Sequence, residues 1–419
     1  MFQKTIFPNG LTLVKVPQKN SSTVTILILV ATGSKYEIKE INGISHLLEH
    51  LIFKGTKKRP SQLLISEPLD RVGGSFNAFT SQEYTGYYAK VERSYFDLAL
   101  DVISDIYLNS LFKEKDIKKE KNVIIEEINM YFDHPSYYVQ NLWSELLYKD
   151  QPAGRLISGT KESVANISRK DILNYFNTQY TAKNTIIVVA GNFSNIEKKV
   201  QRAFSSIKQK KSFVKEKTRD NQKKPEIILS FRKTDQTHLC LGVRAYDIFH
   251  PQKYTLEIIA SLLGGMMSSR LFLIIREKLG LAYYIKTDFS KDTDTGYVVT
   301  QAGVDNSKVK LAIQAILKEY NNIAKKGISL KELQKAKDNL RGSLALGLET
   351  SHSQAVFFGL QEIIEKKILT PDQICAKINN VTRKDILKVA KDIFKPSKLN
   401  LALVGPYKDE KEFEKILKL

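Results

Sequence analysis

The sequence predicts an α+β protein of two homologous domains, each a largely antiparallel sheet packed with helices. Three observations lead there. A chain of 419 residues exceeds what one ordinary core organises, so at least two domains are expected. The chain also repeats itself at a fixed offset: Val164–Leu173 matches Ile378–Leu387, and Thr185–Gly191 matches Leu399–Gly405 at the same spacing. Two matches at one offset argue for duplication. Finally, strand-like and helix-like segments do not alternate as regular βαβ units, which favours antiparallel α+β domains over a doubly wound sheet.

The elements follow in order. Pro8-Asn9-Gly10 is a turn, and Leu11–Val16 alternates after it. Thr23–Val30 reads as a buried strand, and Glu83–Val91 as a Tyr- and Thr-rich strand of period two. Apolar spacing predicts helices over Phe96–Asn109 and Ile117–Phe132. Ser168 and Thr382, equivalent under the repeat, are placed to cap helices, and each half then ends a β-rich strand at a glycine. The lysine-dense stretch Lys208–Lys224 has few apolar residues and reads as a charged linker. It divides residues 1–207 from 225–419.

Apolar content of 42% and charged content of 26% describe a globular chain. The net charge of +20 is large enough to suggest a polyanionic partner. However, the lysines are spread along the chain and no nucleic-acid motif accompanies them, so a lysine-rich surface without nucleic-acid binding is expected. The longest apolar stretch, Val24–Ala31, is far too short to span a bilayer, so no membrane partner is expected. The first residues run straight into a turn without a leader pattern. Cys240 and Cys375 lie far apart in apolar contexts, as reduced core thiols would. A cytoplasmic location is the expectation.

Chemistry concentrates in His46-Leu47-Leu48-Glu49-His50. On a helix, positions i, i+3 and i+4 share one face. Two imidazoles so spaced can hold one divalent metal, and the carboxylate between them can reach a water held by that metal. This is the inverted zinc-protease pattern H-x-x-E-H. Leu47, Leu48, Leu51 and Ile52 point away from the polar stripe, so the helix is buried on most sides. A buried stripe of imidazoles and carboxylate is costly unless a cation faces it.

A third ligand is expected from another element, and the Ile117–Phe132 helix offers Glu120, Glu126 and Glu127. At 100° per residue, Glu127 lies about 60° and Glu120 about 40° from the buried Ile124, whereas Glu126 lies about 160° away. Glu127 is therefore assigned as ligand and Glu120 as a group that orients the site.

The chain resembles the pitrilysin/insulinase family of zinc metallopeptidases, in particular the short two-domain members that include mitochondrial processing peptidase and its bacterial relatives. The residues carrying the resemblance are His46–His50 and Leu51–Thr56, then Gly73–Ser81, Glu120 with Glu127, Ser268–Phe272 and Arg276–Tyr283. The resemblance implies a processing-peptidase-like fold and one zinc per chain bound by His46, His50 and Glu127. Glu49 would be the general base, with Glu120 supporting it. It also implies that peptide substrates add as a β-strand beside Gly73–Ser81, with Asn77, Ala78 and Phe79 binding them. Arg276 and Tyr283 would contact substrate near the zinc.

The expected activity is a zinc-dependent endopeptidase; a silent scaffold subunit of the same family is the alternative. The family encloses its substrates in a chamber built from four such domains, and this chain supplies two. A homodimer is therefore expected, a heterodimer with a paralogue being the other option. The second half lacks H-x-x-E-H, and its Ser261–Met267 is apolar and glycine-containing, as in a non-catalytic copy.

Overall fold

Runs of β-branched and aromatic residues form the strands, and the most apolar of them lie at the sheet centres. In the computed structural model, which describes residues 2–419, two units interleave in sequence. The first comprises residues 1–129, 155–216 and 345–370; the second comprises 130–154, 217–344 and 371–419. Each unit therefore takes one helical excursion from the other half of the chain. One division, between Glu216 and Lys217, falls inside 208–224, which carries neither helix nor strand.

The first unit holds β1 (Gln3–Ile6), β2 (Thr12–Pro17), β3 (Thr23–Val30), β4 (Ser75–Thr80), β5 (Thr85–Glu92) and β6 (Thr185–Gly191). Their order is β1-β2-β6-β3-β5-β4, antiparallel except for the β2–β6 pair. On one face pack α1 (Ile44–Leu51), α2 (Gln62–Asp70), α3 (Phe96–Asn109) and α4 (Glu114–Asp133), around Ile26, Ile28, Leu47, Leu48 and Ile103. The other face, with Leu27, Leu29 and Val188, is covered by Ala355 and Phe358 of the helix Ser351–Leu360.

The second unit repeats this plan with β7 (Glu226–Phe231), β8 (Gln236–Arg244), β9 (Ala282–Lys291), β10 (Gly296–Asp305) and β11 (Leu399–Gly405), in the order β7-β11-β8-β10-β9. Its second face is covered by α5 (Pro135–Tyr148), whose Val139, Trp143 and Leu147 pack on Cys240, Val299 and Ala402. Ser168 and Thr382 both close capping boxes, with Asp171 and Asp385 respectively. The α+β architecture of two homologous sheet-and-helix domains is thus the one the repeat predicts. Cys240 is buried, whereas Cys375 is only half-buried; both are free thiols. No helix among the described residues is long and apolar enough to cross a membrane.

Candidate metal centre

Helix α1 is held at its N-terminus by an unusual cap. Gly43, at the N-cap, has φ of 97°, and a Cβ there would lie 2.6 Å from the Ser158 carbonyl oxygen. No side chain of its own can cap the helix. The buried carboxylate of Glu37 accepts instead from the N–H groups of Gly43 (2.7 Å) and Ser45 (2.9 Å), and from Asn42 Nδ2 (2.8 Å). Burial raises the Glu37 carboxyl above its ordinary range, and these donors oppose the rise. An anion here also complements the helix dipole. Leu47, Leu48 and Leu51 anchor the opposite side of α1 in the core.

His46, Glu49 and His50 therefore project from a fixed helix. Glu127 of α4 meets the two imidazoles: its Oε2 lies 3.7 Å from His46 Nε2 and 3.8 Å from His50 Nε2. Among the described residues, His46, His50 and Glu127 form the one group of three or more such side chains able to hold a metal. Ligand atoms around a tetrahedral zinc stand about 3.3 Å apart. The two spacings to Glu127 need only a few tenths of an ångström of closure, and all three ligand atoms lie within 4.8 Å of one another. Burial, helped by the neighbouring His50, lowers the His46 pKa to about 4, which keeps its nitrogen lone pair open at neutral pH. Two imidazole nitrogens and a carboxylate are a donor set that suits zinc.

Glu120 sits one layer behind, almost fully buried. Its Oε2 lies 3.3 Å from His50 Nδ1, and its Oε1 accepts from Lys54 Nζ at 2.9 Å. Hydrogen bonding at Nδ1 leaves Nε2 of His50 as the atom facing Glu127. Lys54 also donates to Gln62 Oε1 at 3.1 Å. Glu126, by contrast, is exposed on the far side of α4.

Glu49 stands between the histidines and the sheet edge, where its Oε2 accepts from Thr80 Oγ1 at 2.6 Å. Burial raises the Glu49 carboxyl; the Thr80 hydroxyl and His50 act against this, and Glu127 adds to it. Strand β4 is the outer strand of its sheet and pairs only with β5. Asn77 is exposed there and accepts the Ala78 N–H at 2.8 Å. A cleft of about 300 Å³ opens beside Glu49 and His50, lined by Phe53, Ile65, Phe76, Asn77 and Ala78. Phe79 lies away from this cleft, packing on the opposite face against Tyr84 and over Gly86. Arg276 and Tyr283 belong to the second unit, Arg276 in the helical turns Phe272–Lys278 and Tyr283 at the start of β9, and both are exposed.

Lys54, Thr80 and Glu37 are site residues that sequence reasoning did not single out. Lys54 and Thr80 lie inside the motifs that carried the family resemblance, next to assigned residues. Glu37 leaves no such trace, because its role rests on a loop fold.

Residues 13–161 match the family model of insulinase (peptidase family M16), and residues 166–340 match that of the M16 peptidase inactive domain. The chain is 36% identical to an uncharacterised zinc protease, YmxG, of Bacillus subtilis strain 168, over 97% of this chain and 98% of that one. It is 34% identical to an uncharacterised zinc protease of Rickettsia felis, over 95% and 96%. Among solved structures, a protease from Helicobacter pylori superposes with a TM-score of 0.91 at 23% identity, covering 96% of this chain and 99% of that one. A peptidase M16 inactive domain from Pseudomonas fluorescens superposes with a TM-score of 0.89 at 16% identity, over 97% of this chain and 98% of that one.

Proposed function

The chain belongs to the insulinase family of peptidases, family M16, and from that premise we propose that it is a zinc-dependent endopeptidase cleaving peptides or unfolded segments. The observation that carries the reading is the convergence of His46, His50 and Glu127 beside Glu49. A silent scaffold would have no use for so complete a set. His46 and His50 through Nε2, with the Glu127 carboxylate, would hold one zinc per chain. When bound, zinc supplies Lewis-acid chemistry: it polarises a carbonyl and acidifies a water molecule.

The chain's own residues do the rest. Glu49 takes the proton of the attacking water and returns it to the leaving amine. Glu120 fixes the His50 tautomer and orientation. The open edge of β4 accepts peptide main chain through Asn77 and Ala78, binding with little demand on sequence. Arg276 and Tyr283 contact the substrate near the zinc, Tyr283 donating to the developing oxyanion. The working form is a dimer, a homodimer requiring no other chain, with the second unit of one subunit completing the site of the other. The protein acts in the cytoplasm.

The test measures zinc content and peptide hydrolysis together. Parent protein should retain about one zinc per chain. Glu49→Gln should keep zinc and lose hydrolysis, because an amide cannot take the proton. Glu127→Gln should lose zinc while Glu126→Gln keeps both zinc and activity. A parent that binds no zinc after supplementation would reject the proposal, and metal loss in Glu126→Gln alone would reassign the ligand.

A further inference from the structure

Strand β4 and the base Glu49 are joined by one side chain. Thr80 ends β4, and its hydroxyl donates to Glu49 Oε2 at 2.6 Å. Along β4, Thr80 shares a face with Phe76 and Ala78, the face toward α1, and it pairs with Thr85 across the hairpin. Thr80 cannot drift, because the turn that follows it is pinned at several points. The Ser81 N–H donates to the Tyr84 carbonyl at 2.8 Å, and the Ser81 and Gln82 carbonyls accept from the N–H groups of Ser34 (3.3 Å) and Lys35 (2.9 Å). Gly33 lies so close that a Cβ there would fall 2.1 Å from the Ser81 oxygen. Glu83 in the same turn is buried between Lys35 Nζ at 3.0 Å and Lys215 Nζ at 3.3 Å. A β-branched residue on such a backbone has little χ1 freedom, so the hydroxyl is aimed before substrate arrives.

From this geometry we infer that Thr80 is a positioning residue for the reaction: it fixes the Glu49 carboxylate from the strand offered to the peptide main chain. With Oε2 engaged by Thr80, the rotation of the carboxylate is set and Oε1 is left to take the proton. The hydroxyl donates to Glu49, and Thr80 belongs neither to the metal-ligating group nor to the residues lining the cleft. Its loss therefore acts on the rate of the chemical step and leaves metal binding and substrate affinity in place.

This inference rests on the proposed role of Glu49, and the experiment separates the two. Thr80→Val, which keeps the shape, and Thr80→Ala, which removes the side chain, are compared with Thr80→Ser and Glu49→Gln. For each, zinc content, kcat and KM are measured on one peptide. Removing a hydrogen bond to an ionised group predicts a fall in kcat of roughly 10- to 100-fold in both hydroxyl-free variants. KM and zinc content should stay within about threefold of the parent in those two, and Thr80→Ser should recover kcat to within about threefold. If Glu49→Gln abolishes hydrolysis while Thr80→Val and Thr80→Ala keep parental kcat, the positioning role is wrong and the base stands. A Thr80→Ser as impaired as Thr80→Val would also overturn it, because packing rather than the hydroxyl would then matter. An active Glu49→Gln would overturn the reading of the base itself.

Discussion

Replacing Glu120 by Gln should damage metal binding through hydrogen-bond arithmetic rather than shape. The carboxylate accepts on both oxygens, from Lys54 at 2.9 Å and beside His50 Nδ1 at 3.3 Å. Gln has the same size but one acceptor oxygen and one donor NH2. If the amide oxygen turns to Lys54, its NH2 faces His50 Nδ1 and favours the tautomer that carries a proton on Nε2, the nitrogen aimed at Glu127. If it turns to His50, its NH2 meets the Lys54 ammonium. Neither orientation serves both neighbours. Loss of an outer hydrogen bond of this kind weakens metal affinity about 10- to 100-fold, or about 1.4–2.7 kcal/mol. The stranded ammonium adds a cost in stability. Breaking a fully buried pair costs about 3–5 kcal/mol, but Lys54 is 21% exposed and keeps Gln62, so about 2 kcal/mol is expected. Zinc competition against a chelating dye and urea melts of the metal-free protein read the two effects separately. A second change sharpens the test. Lys54→Met in the Glu120→Gln background frees the amide oxygen for His50 and should recover most of the zinc affinity. Parental affinity in Glu120→Gln, or no recovery in the double variant, would refute the reasoning.

Two further outcomes follow from the site. His46 has a folded-state pKa lowered from 6.5 to about 4, so between those values the metal-free folded state binds fewer protons than the unfolded chain. Its contribution is intact above about pH 6.5 and is lost as pH falls toward 4, by up to about 3 kcal/mol; urea melts across this window should show the fall, and His46→Asn should flatten it. For the proposed dimer, mixing Glu49→Gln and Tyr283→Phe subunits should restore activity above either parent once subunits exchange. Mixed dimers without added activity would place Tyr283 with the zinc of its own chain or outside the reaction.

Much of the fold was legible because it repeats. Thr23–Val30 and Phe96–Asn109 fall where apolar spacing puts them, and α4 runs three residues beyond its reading at the N-terminus and one at the C-terminus. The face argument also placed Glu126 in solvent and turned Glu120 and Glu127 inward, since helical angle is fixed by sequence position alone. The interleaving of the units was not legible. Helices Pro135–Tyr148 and Ser351–Leu360 are repeat equivalents, each with one apolar stripe, and nothing in either stripe says which of two similar sheets it covers. Thr80 and Lys54 were hidden for a different reason: each acts through a contact with a residue more than 30 positions away. A single polar residue at the end of a strand or of a short helical turn has no periodicity to betray such a partner.

The repeat also explains why only one half can carry this chemistry. At the common offset, Ala260, Leu263 and Gly264 stand where the first half has His46, Glu49 and His50, and Arg341 stands where it has Glu127. All four positions thus differ from the metal set, but Gly264 differs in a way that side chains alone cannot reverse. A Cβ at Gly264 would lie 2.4 Å from the backbone nitrogen of Thr287 and 2.5 Å from its Oγ1. Helix Lys253–Gly264 therefore packs directly against β9, with backbone where the first unit leaves room for an imidazole. Thr287 in turn bonds Thr300, which bonds Tyr320, so the strand beneath is tied into a buried polar network and cannot retreat freely. The second unit thus has close backbone packing where the first carries the His50 imidazole. Overpacking such a contact is destabilising by itself, so an imidazole at position 264 is excluded by the fold as well as absent from the sequence.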